Sequence, residues 1–370
     1  MTSATSAASG RDAVSPHVSP ERQRAGRLLV RSATILFALL FVMQALFAYA
    51  VIPFGFPNWM PVLIAYVVWS IALCWGLILR DGEAGWRALF ILPAILFTVA
   101  LVIFPTVFGF FIAFSDWNLQ SAGGRAFNGL DNFYQLIHDE YFWNALGNMV
   151  FYVATVIVQY AIAFGLALLL NADIKAQKFF RVAFLLPFML SPVAVSWMIG
   201  KSMLEFRFGP VTNLLRWFGW KSPSLLTDPF LAKVTIAIMD AWVWIPFMMI
   251  MILAGLQALS KEVQEAAKVD GATGWQGFWQ ITFPLMLPVS VTTVVLRIIF
   301  QLKLADIVIN TTSGGPGGAT DTISSYIFRV YKDRSNVGYG TMIAEVYLIL
   351  IIIFVALLLK FTSKYMQRAT

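Results

Sequence analysis

Long apolar runs constrain this chain more than any other feature. A helix needs about 20 mostly apolar residues to cross a hydrocarbon core about 30 Å thick. Stretches at roughly 33–52, 60–79, 88–114, 146–170, 180–203, 231–256, 285–304 and 341–360 meet that length. In lipid every backbone polar group must be satisfied within its own segment, so such runs fold as helices. The expectation is an all-α, polytopic membrane protein with about eight transmembrane helices. Of 370 residues, 59% are hydrophobic and 12% charged, against about half and a quarter in soluble domains. That balance excludes a disordered chain, a cytosolic enzyme and a nucleic-acid binder. One cysteine, Cys74, and two histidines, His17 and His138, leave no intrachain disulfide and no recognisable metal centre. The first run is not a cleavable signal: it is long, starts after about thirty residues, and no small-residue cleavage pattern follows it. Residues 1–32, rich in Ser, Ala and Pro, read as a disordered cytoplasmic tail.

Lys and Arg placement sets the orientation. Arg11, Arg22, Arg24, Arg27 and Arg31 precede the first run, and Arg80 and Arg87 follow the second. Lys175, Lys178 and Arg181 lie after the fourth, and Lys360, Lys364 and Arg368 close the chain. Loop 53–59 has no basic residue, and loop 115–145 has only Arg125 against Asp116, Asp131, Asp139 and Glu140. Both termini are therefore expected in the cytoplasm. Loop 204–230 fits poorly, because it falls outside yet holds Arg207, Arg216 and Lys221. Its aromatic run Trp217, Phe218, Trp220 suggests a helix lying at the membrane interface.

The segment between the sixth and seventh runs, 257–288, falls on the cytoplasmic side. Ser260 is a plausible N-cap for a helix reaching Lys268. Gly271 breaks it where the chain must turn. Thr273 or Gly274 can start a second short helix that presents Trp275, Phe278, Trp279 and Ile281 at helical spacing. Pro284 and Pro288 then open the next span. An apolar stripe outside the bilayer fits a docking element or an amphipathic connector on the lipid surface, and periodicity alone does not choose between them.

The residues of this segment resemble the EAA loop of permease subunits of bacterial ATP-binding-cassette importers. That pattern is Glu-Ala-Ala, three residues, Gly, nine residues, Ile, two residues, Pro. Here Glu265, Ala266, Ala267, Gly271, Ile281 and Pro284 occupy every fixed point, with Phe283 where Leu is usual. From about residue 90 onward the chain is similar to the carbohydrate-uptake branch, in particular the larger membrane subunit of the maltose transporter. Phe114-Ser115-Asp116-Trp117-Asn118, Gly129-Leu130-Asp131-Asn132-Phe133, Phe142-Trp143-Asn144-Ala145-Leu146, Phe180-Arg181 with Leu185-Leu186-Pro187, and Gly314-Gly315-Pro316-Gly317 carry that likeness. It implies two accessory N-terminal spans (33–87) before a six-span core (88–360), then a cytoplasmic tail (361–370). The large domain that the maltose subunit inserts after its third span has no counterpart in loop 115–145.

No Walker-type phosphate-binding sequence occurs in the chain, and Gly314–Gly318 lacks its Lys and reads as a flexible turn. No cofactor is expected on this chain. The resemblance implies that ATP and Mg reside on a partner ATPase dimer. It also implies a second permease subunit and an extracytoplasmic substrate-binding protein, within the bacterial inner membrane and its lipid. The coupling surface it assigns comprises Glu265, Ala266, Ala267, Asp270, Gly271, Ala272, Trp275, Phe278, Ile281 and Pro284. Glu265 would meet a basic group of the ATPase.

Charged and polar side chains inside spans mark pathways, because uncompensated charge in hydrocarbon costs several kcal/mol. Asp240 lies in the sixth run, Arg297 and Gln301 in the seventh, and Glu345 in the eighth. The resemblance places sugar contacts on the spans flanking the EAA loop. The substrate-pathway candidates are therefore Asp240, Trp244, Phe247, Arg297, Gln301 and Leu304, with Trp242 alongside. For Asp240 and Arg297 a structural ion pair is the other reading. The expected cargo is a sugar, oligosaccharide or polyol. A non-carbohydrate or anionic solute is the first alternative. An ion-coupled secondary carrier is the second, although no repeated halves are evident.

Overall fold

The computed structural model describes residues 18–48, 51–121, 123–172 and 174–366. Within them the chain is almost wholly helical. In order the helices are α1 (Pro20–Ala48), α2 (Met60–Asp81), α3 (Glu83–Thr98), α4 (Phe104–Ala113), α5 (Asp131–Ile137), α6 (Glu140–Asn171), α7 (Gln177–Met189) and α8 (Pro192–Val195). There follow α9 (Pro210–Trp217), α10 (Pro229–Ala258), α11 (Lys261–Val269), α12 (Gly274–Gly277), α13 (Phe283–Gln301), α14 (Asp306–Thr311), α15 (Ile323–Lys332) and α16 (Val337–Met366). Wider π turns at Val99–Ile103, Ser196–Met203 and Phe278–Thr282 interrupt or extend these helices. A two-residue antiparallel pair, Ser115–Asp116 with Ala126–Phe127, is the only ladder among the described residues. Seven helices are long and apolar enough to cross a membrane, and an eighth segment qualifies as a bent pair.

That bent pair corrects the fifth expected span, 180–203. It folds as Gln177–Met189 and Pro192–Met203, turned by 93°. Pro192 explains the break, since the residue before proline is pushed out of the helical region. Ser191 is extended (φ −63°, ψ 136°), as is Leu190 (φ −83°, ψ 142°). The expected disordered tail 1–32 is also corrected in part: it is helical from Pro20. Gly26 explains the extension, because it presses on the backbone of α2, where an added Cβ would stand 2.6 Å from the Gly76 carbonyl. Residues 1–17 and 367–370 of the expected tails lie outside the described residues.

The chain divides into two compact units, Met1–Phe108 and Gly109–Thr370. In the first, α1 and α2 pack through Gly26 and Gly76 and share an aromatic cluster in which Phe37 stacks on Trp69 at 5.2 Å. In the second, α6, α10, α13 and α16 supply the buried core, with Tyr152, Val156, Ala163, Met248, Ile252, Met286 and Ile343 each at most 0–1% exposed. Gly255 admits α13 close to α10, since a Cβ there would meet Met286 at 2.8 Å and Val289 at 2.9 Å. The long helices start at built caps. Asp139 accepts from the Tyr141 N–H (2.9 Å) at α6, and Asp228 accepts from the Leu231 N–H (2.8 Å) at α10, where Pro229 follows. Each such cap contributes about 1 kcal/mol.

The end of the core opposite the 257–288 segment is tied across long sequence separations. Asp139 also accepts from the hydroxyls of Tyr326 and Tyr339. Asn148 donates to the carbonyls of Gly318 (3.0 Å) and Asp321 (2.9 Å), and Asn144 donates to Gly318 (2.7 Å). Asp321 pairs with Arg329 and accepts from Ser325 (3.0 Å). Gly314–Gly318 is thus a pinned loop and not the flexible turn expected, held further by Thr320 donating to the Gly315 carbonyl (2.9 Å).

Candidate functional site

Two sites lie on α10 and α13, at different heights. At the turn between these helices, α11 ends at Val269 and Gly271 takes φ +81°. The Ala272 N–H then reaches back to the Ala267 carbonyl (3.0 Å), a bond that closes a glycine-terminated helix. Thr273 and Gln276 form a reciprocal capping box that starts α12. The second helix is not short and separate. Through the π turn Phe278–Thr282 it runs on into α13, giving one helical span, Gly274–Gln301. Pro284 lies in the first turn after that π segment.

Glu265, Ala266, Asp270 and Gly271 are exposed on the turn. Ala267, Ala272, Trp275, Phe278 and Ile281 line an open groove of about 740 Å³ together with Leu168 of α6. Trp275 is 73% exposed. Phe278 also packs edge-on to Phe164 of α6 (5.6 Å) and against Phe283 (6.0 Å). One turn along α6, Tyr160 donates to Ser290 of α13 (2.7 Å). The turn is therefore closed by its own hydrogen bonds and keyed to α6.

Higher in the bundle, Asp240 of α10 and Arg297 of α13 form an ion pair, 1% and 0% exposed. Gln159 of α6, 2% exposed, completes a triangle. It accepts from Arg297 Nε (2.9 Å) and lies 3.4 Å from Asp240 Oδ2. Gln301 is also buried beside Asp240, but neither of its amide atoms reaches hydrogen-bond geometry, and Arg297 Nη1 has no partner. The guanidinium lies 5.0 Å from the Trp244 ring centre. Trp244 stacks on Phe300 (4.7 Å, 24°), and Phe247 and Phe188 of α7 complete an aromatic wall. Asp240 and Trp244 are one turn apart on α10, and Arg297 and Phe300 one turn apart on α13. An ionic rung and an aromatic rung thus cross-link the same two helices. Only the rings reach the surface of the described chain, where Trp244 is half-buried and Phe300 38% exposed.

The structure brings Asp240, Trp244, Phe247, Arg297 and Gln301 together. Leu304, whose N–H donates to the Gln301 carbonyl (3.0 Å), sits in the adjoining apolar cluster with Val243, Ile307 and Val308, against which Trp244 packs. Trp242, 38% exposed, takes no part in the wall. Gln159 and Phe300 were not singled out from the sequence. A polar residue inside the fourth apolar run was the available signal for Gln159.

A helical core of long apolar spans joined by short turns defines a polytopic membrane protein. Residues 161–367 match the family described as binding-protein-dependent transport system inner membrane component, and the chain belongs to it. The trehalose/maltose transport system permease protein MalF of Thermococcus litoralis is 30% identical over 282 residues, covering 76% of this chain and 94% of that one. The lactose transport system permease protein LacF of Rhizobium radiobacter is 34% identical over 276 residues, covering 72% and 90%. In fold, the chain is similar to a bacterial ABC transporter crystal structure involved in the import of the acidic polysaccharide alginate. That match has TM-score 0.67 and 24% identity, and covers 77% of this chain and 98% of the other. The chain is thus a multi-pass inner-membrane transport component, and the secondary-carrier alternative falls away.

Proposed function

We propose that this chain forms one half of the translocation pathway of an ATP-driven importer for a sugar, oligosaccharide or polyol. A second permease subunit supplies the other half. An ATPase dimer carrying ATP and Mg docks on the turn at Glu265–Gly271 and in the groove beside Trp275. An extracytoplasmic binding protein delivers the cargo at the opposite end. The relatives named for trehalose, maltose and lactose favour carbohydrate, and the aromatic wall suits the C–H faces of sugar rings.

One observation carries the reading: the helices joined by the 257–288 turn are the two helices cross-linked by the Asp240–Arg297 pair and the Trp244–Phe300 stack. Movement of the turn as a rigid lever would therefore move both walls of the candidate site. The test is uptake of radiolabelled maltose, trehalose and lactose into proteoliposomes holding the assembled complex. ATP-dependent, vanadate-sensitive uptake of any one of them is the expected result. Uptake that proceeds without the ATPase sinks the proposal.

A further inference from the structure

The first compact unit, Met1–Phe108, lies outside the 161–367 family match, and neither site described above includes one of its residues. Its charge is unevenly placed. Between Pro20 and Arg87 there are six arginines against three acids, Glu21, Asp81 and Glu83. All nine sit where α1 begins or where α2 passes into α3. Glycine packing brings these helix ends to one level. A Cβ on Gly26 of α1 would stand 2.7 Å from the Arg80 backbone nitrogen, and one on Gly85 of α3 would stand 2.7 Å from the Ile78 Cα. Trp86 and Arg87, both exposed, follow Gly85. Tryptophan beside arginine at a span end marks the headgroup layer.

Arg80 is already held by Asp81 through two hydrogen bonds (2.8 and 2.7 Å). The α1 arginines are not held in this way. Arg22, Arg24, Arg27 and Arg31 are exposed, and none forms an ion pair with a described residue. Arg24, Arg27 and Arg31 follow at intervals of three and four, so they share one helix face. That face continues as Ile35 and Val42, flanked by Leu28 and Leu39, and all four are exposed. Gly26, which meets α2, points off this face. At 1.5 Å per residue, Arg24 to Arg31 covers about 10 Å and Arg31 to Val42 about 16 Å. The second length is half of a hydrocarbon core about 30 Å thick, which is one leaflet. Long arginine stems can lie along the first length with their charged heads at the interface. Unpaired positive charge above an apolar strip one leaflet deep, on one face of one helix, complements a molecule with a phosphate head and acyl chains.

We propose that this face of α1 binds an anionic phospholipid in the leaflet where α1 begins, with the phosphate on Arg27 and Arg31, Arg24 at the rim, and an acyl chain along Ile35 and Val42. The site does not depend on which solute is carried. It gives the accessory spans a role of their own, as the part of the chain that reads the charge of the surrounding membrane.

The experiment is native mass spectrometry of the detergent-purified assembled complex, titrated with dioleoyl phosphatidylglycerol or with dioleoyl phosphatidylcholine. The chains are the same, so only the headgroup charge differs. The wild type is expected to hold phosphatidylglycerol at least about tenfold more tightly. Each arginine near an anionic headgroup contributes about fivefold, so Arg27→Gln with Arg31→Gln should weaken phosphatidylglycerol binding on the order of 25-fold and leave phosphatidylcholine unchanged. Arg27→Lys with Arg31→Lys keeps both charges and should bind like the wild type. Arg31→Gln alone leaves Arg22, Arg24 and Arg27 to orient α1. It should still lose about fivefold, which covers the case in which the neutral double variant does not insert. Excess inorganic phosphate should displace none of the lipid, because the apolar strip holds the chains. Displacement by phosphate would make this a site for the free anion and overturn the lipid assignment. Equal binding of the two lipids by the wild type, or undiminished phosphatidylglycerol binding in Arg31→Gln and the neutral double variant, would overturn the proposal outright.

Discussion

Arg297 illustrates what a buried charge demands of its neighbours. It has 0% exposure in a bundle with an apolar exterior, so its pairing is obligatory. Removing only one partner leaves the other charge stranded, a loss of about 3–5 kcal/mol. Arg297→Ala and Asp240→Ala should each lower the melting temperature of the purified complex sharply, and combining Asp240→Asn with Arg297→Gln should recover most of the loss. Equal destabilisation by the single and double changes would show that the pairing is not what holds the three helices. Asp240 and Arg297 are legible in the sequence because charge inside an apolar run must be compensated. Gln159 is less so, since a neutral amide perturbs such a run far less. Asp139 is not legible at all. It sits among other loop acids, and the tyrosines that mark its role lie 187 and 200 residues away.

At the scale of elements, the turn between α11 and α12 behaves as one piece because its geometry depends on Gly271. An ideal Cβ there would meet nothing within 4 Å, so crowding is not the constraint. The positive φ is, at about 1–2 kcal/mol for an ordinary L-residue. Asn tolerates that region and Val does not. Gly271→Asn should therefore keep cargo-stimulated ATP hydrolysis near the wild-type rate, while Gly271→Val and Gly271→Pro should lose most of it with insertion intact. Glu265→Lys, on the exposed face, should also uncouple, by repulsion of a basic ATPase group. Undiminished stimulation in Glu265→Lys and Gly271→Val together would remove the turn from the coupling path. The turn was readable from residue spacing, since glycine termination and capping are local. The continuity of its second helix into α13 and its seating on Phe164 were not, because both depend on packing against α6. The break at Leu190–Ser191 was marked by Pro192, but hydropathy alone ran across it.

For the whole molecule, span number follows from apolar length, whereas sidedness depends on whether the broken fifth segment crosses. Packing argues that it does. Gln177, at the start of α7, donates to the Leu170 carbonyl at the coupling-turn end of α6 (2.6 Å). Gly200, in the second half of the pair, presses on Thr311 of α14, beyond the far end of α13. The two short helices together therefore carry the chain from one end of the core to the other. Arg216, one of the basic residues that fit the orientation poorly, is folded over the Phe206 ring at 4.8 Å and donates to Asn213 (2.9 Å). A cation satisfied this way is a weaker topological signal than the arginines of α1. The expected arrangement thus has the turn and both termini in the cytoplasm, and loops 115–139 and 204–228 outside. Single-cysteine variants at Gly123, Trp217 and Asp270, made in a Cys74→Ser background, test it with a membrane-impermeant maleimide. Gly123 has open space around it, Trp217 is 80% exposed, and Asp270 is exposed. In intact cells the first two should label and the third should label only after permeabilisation. Labelling at 123 but not at 217, with 270 accessible from outside, would mean that the bent pair re-enters without crossing, and the coupling turn would then lie on the wrong side of the membrane for any cytoplasmic ATPase.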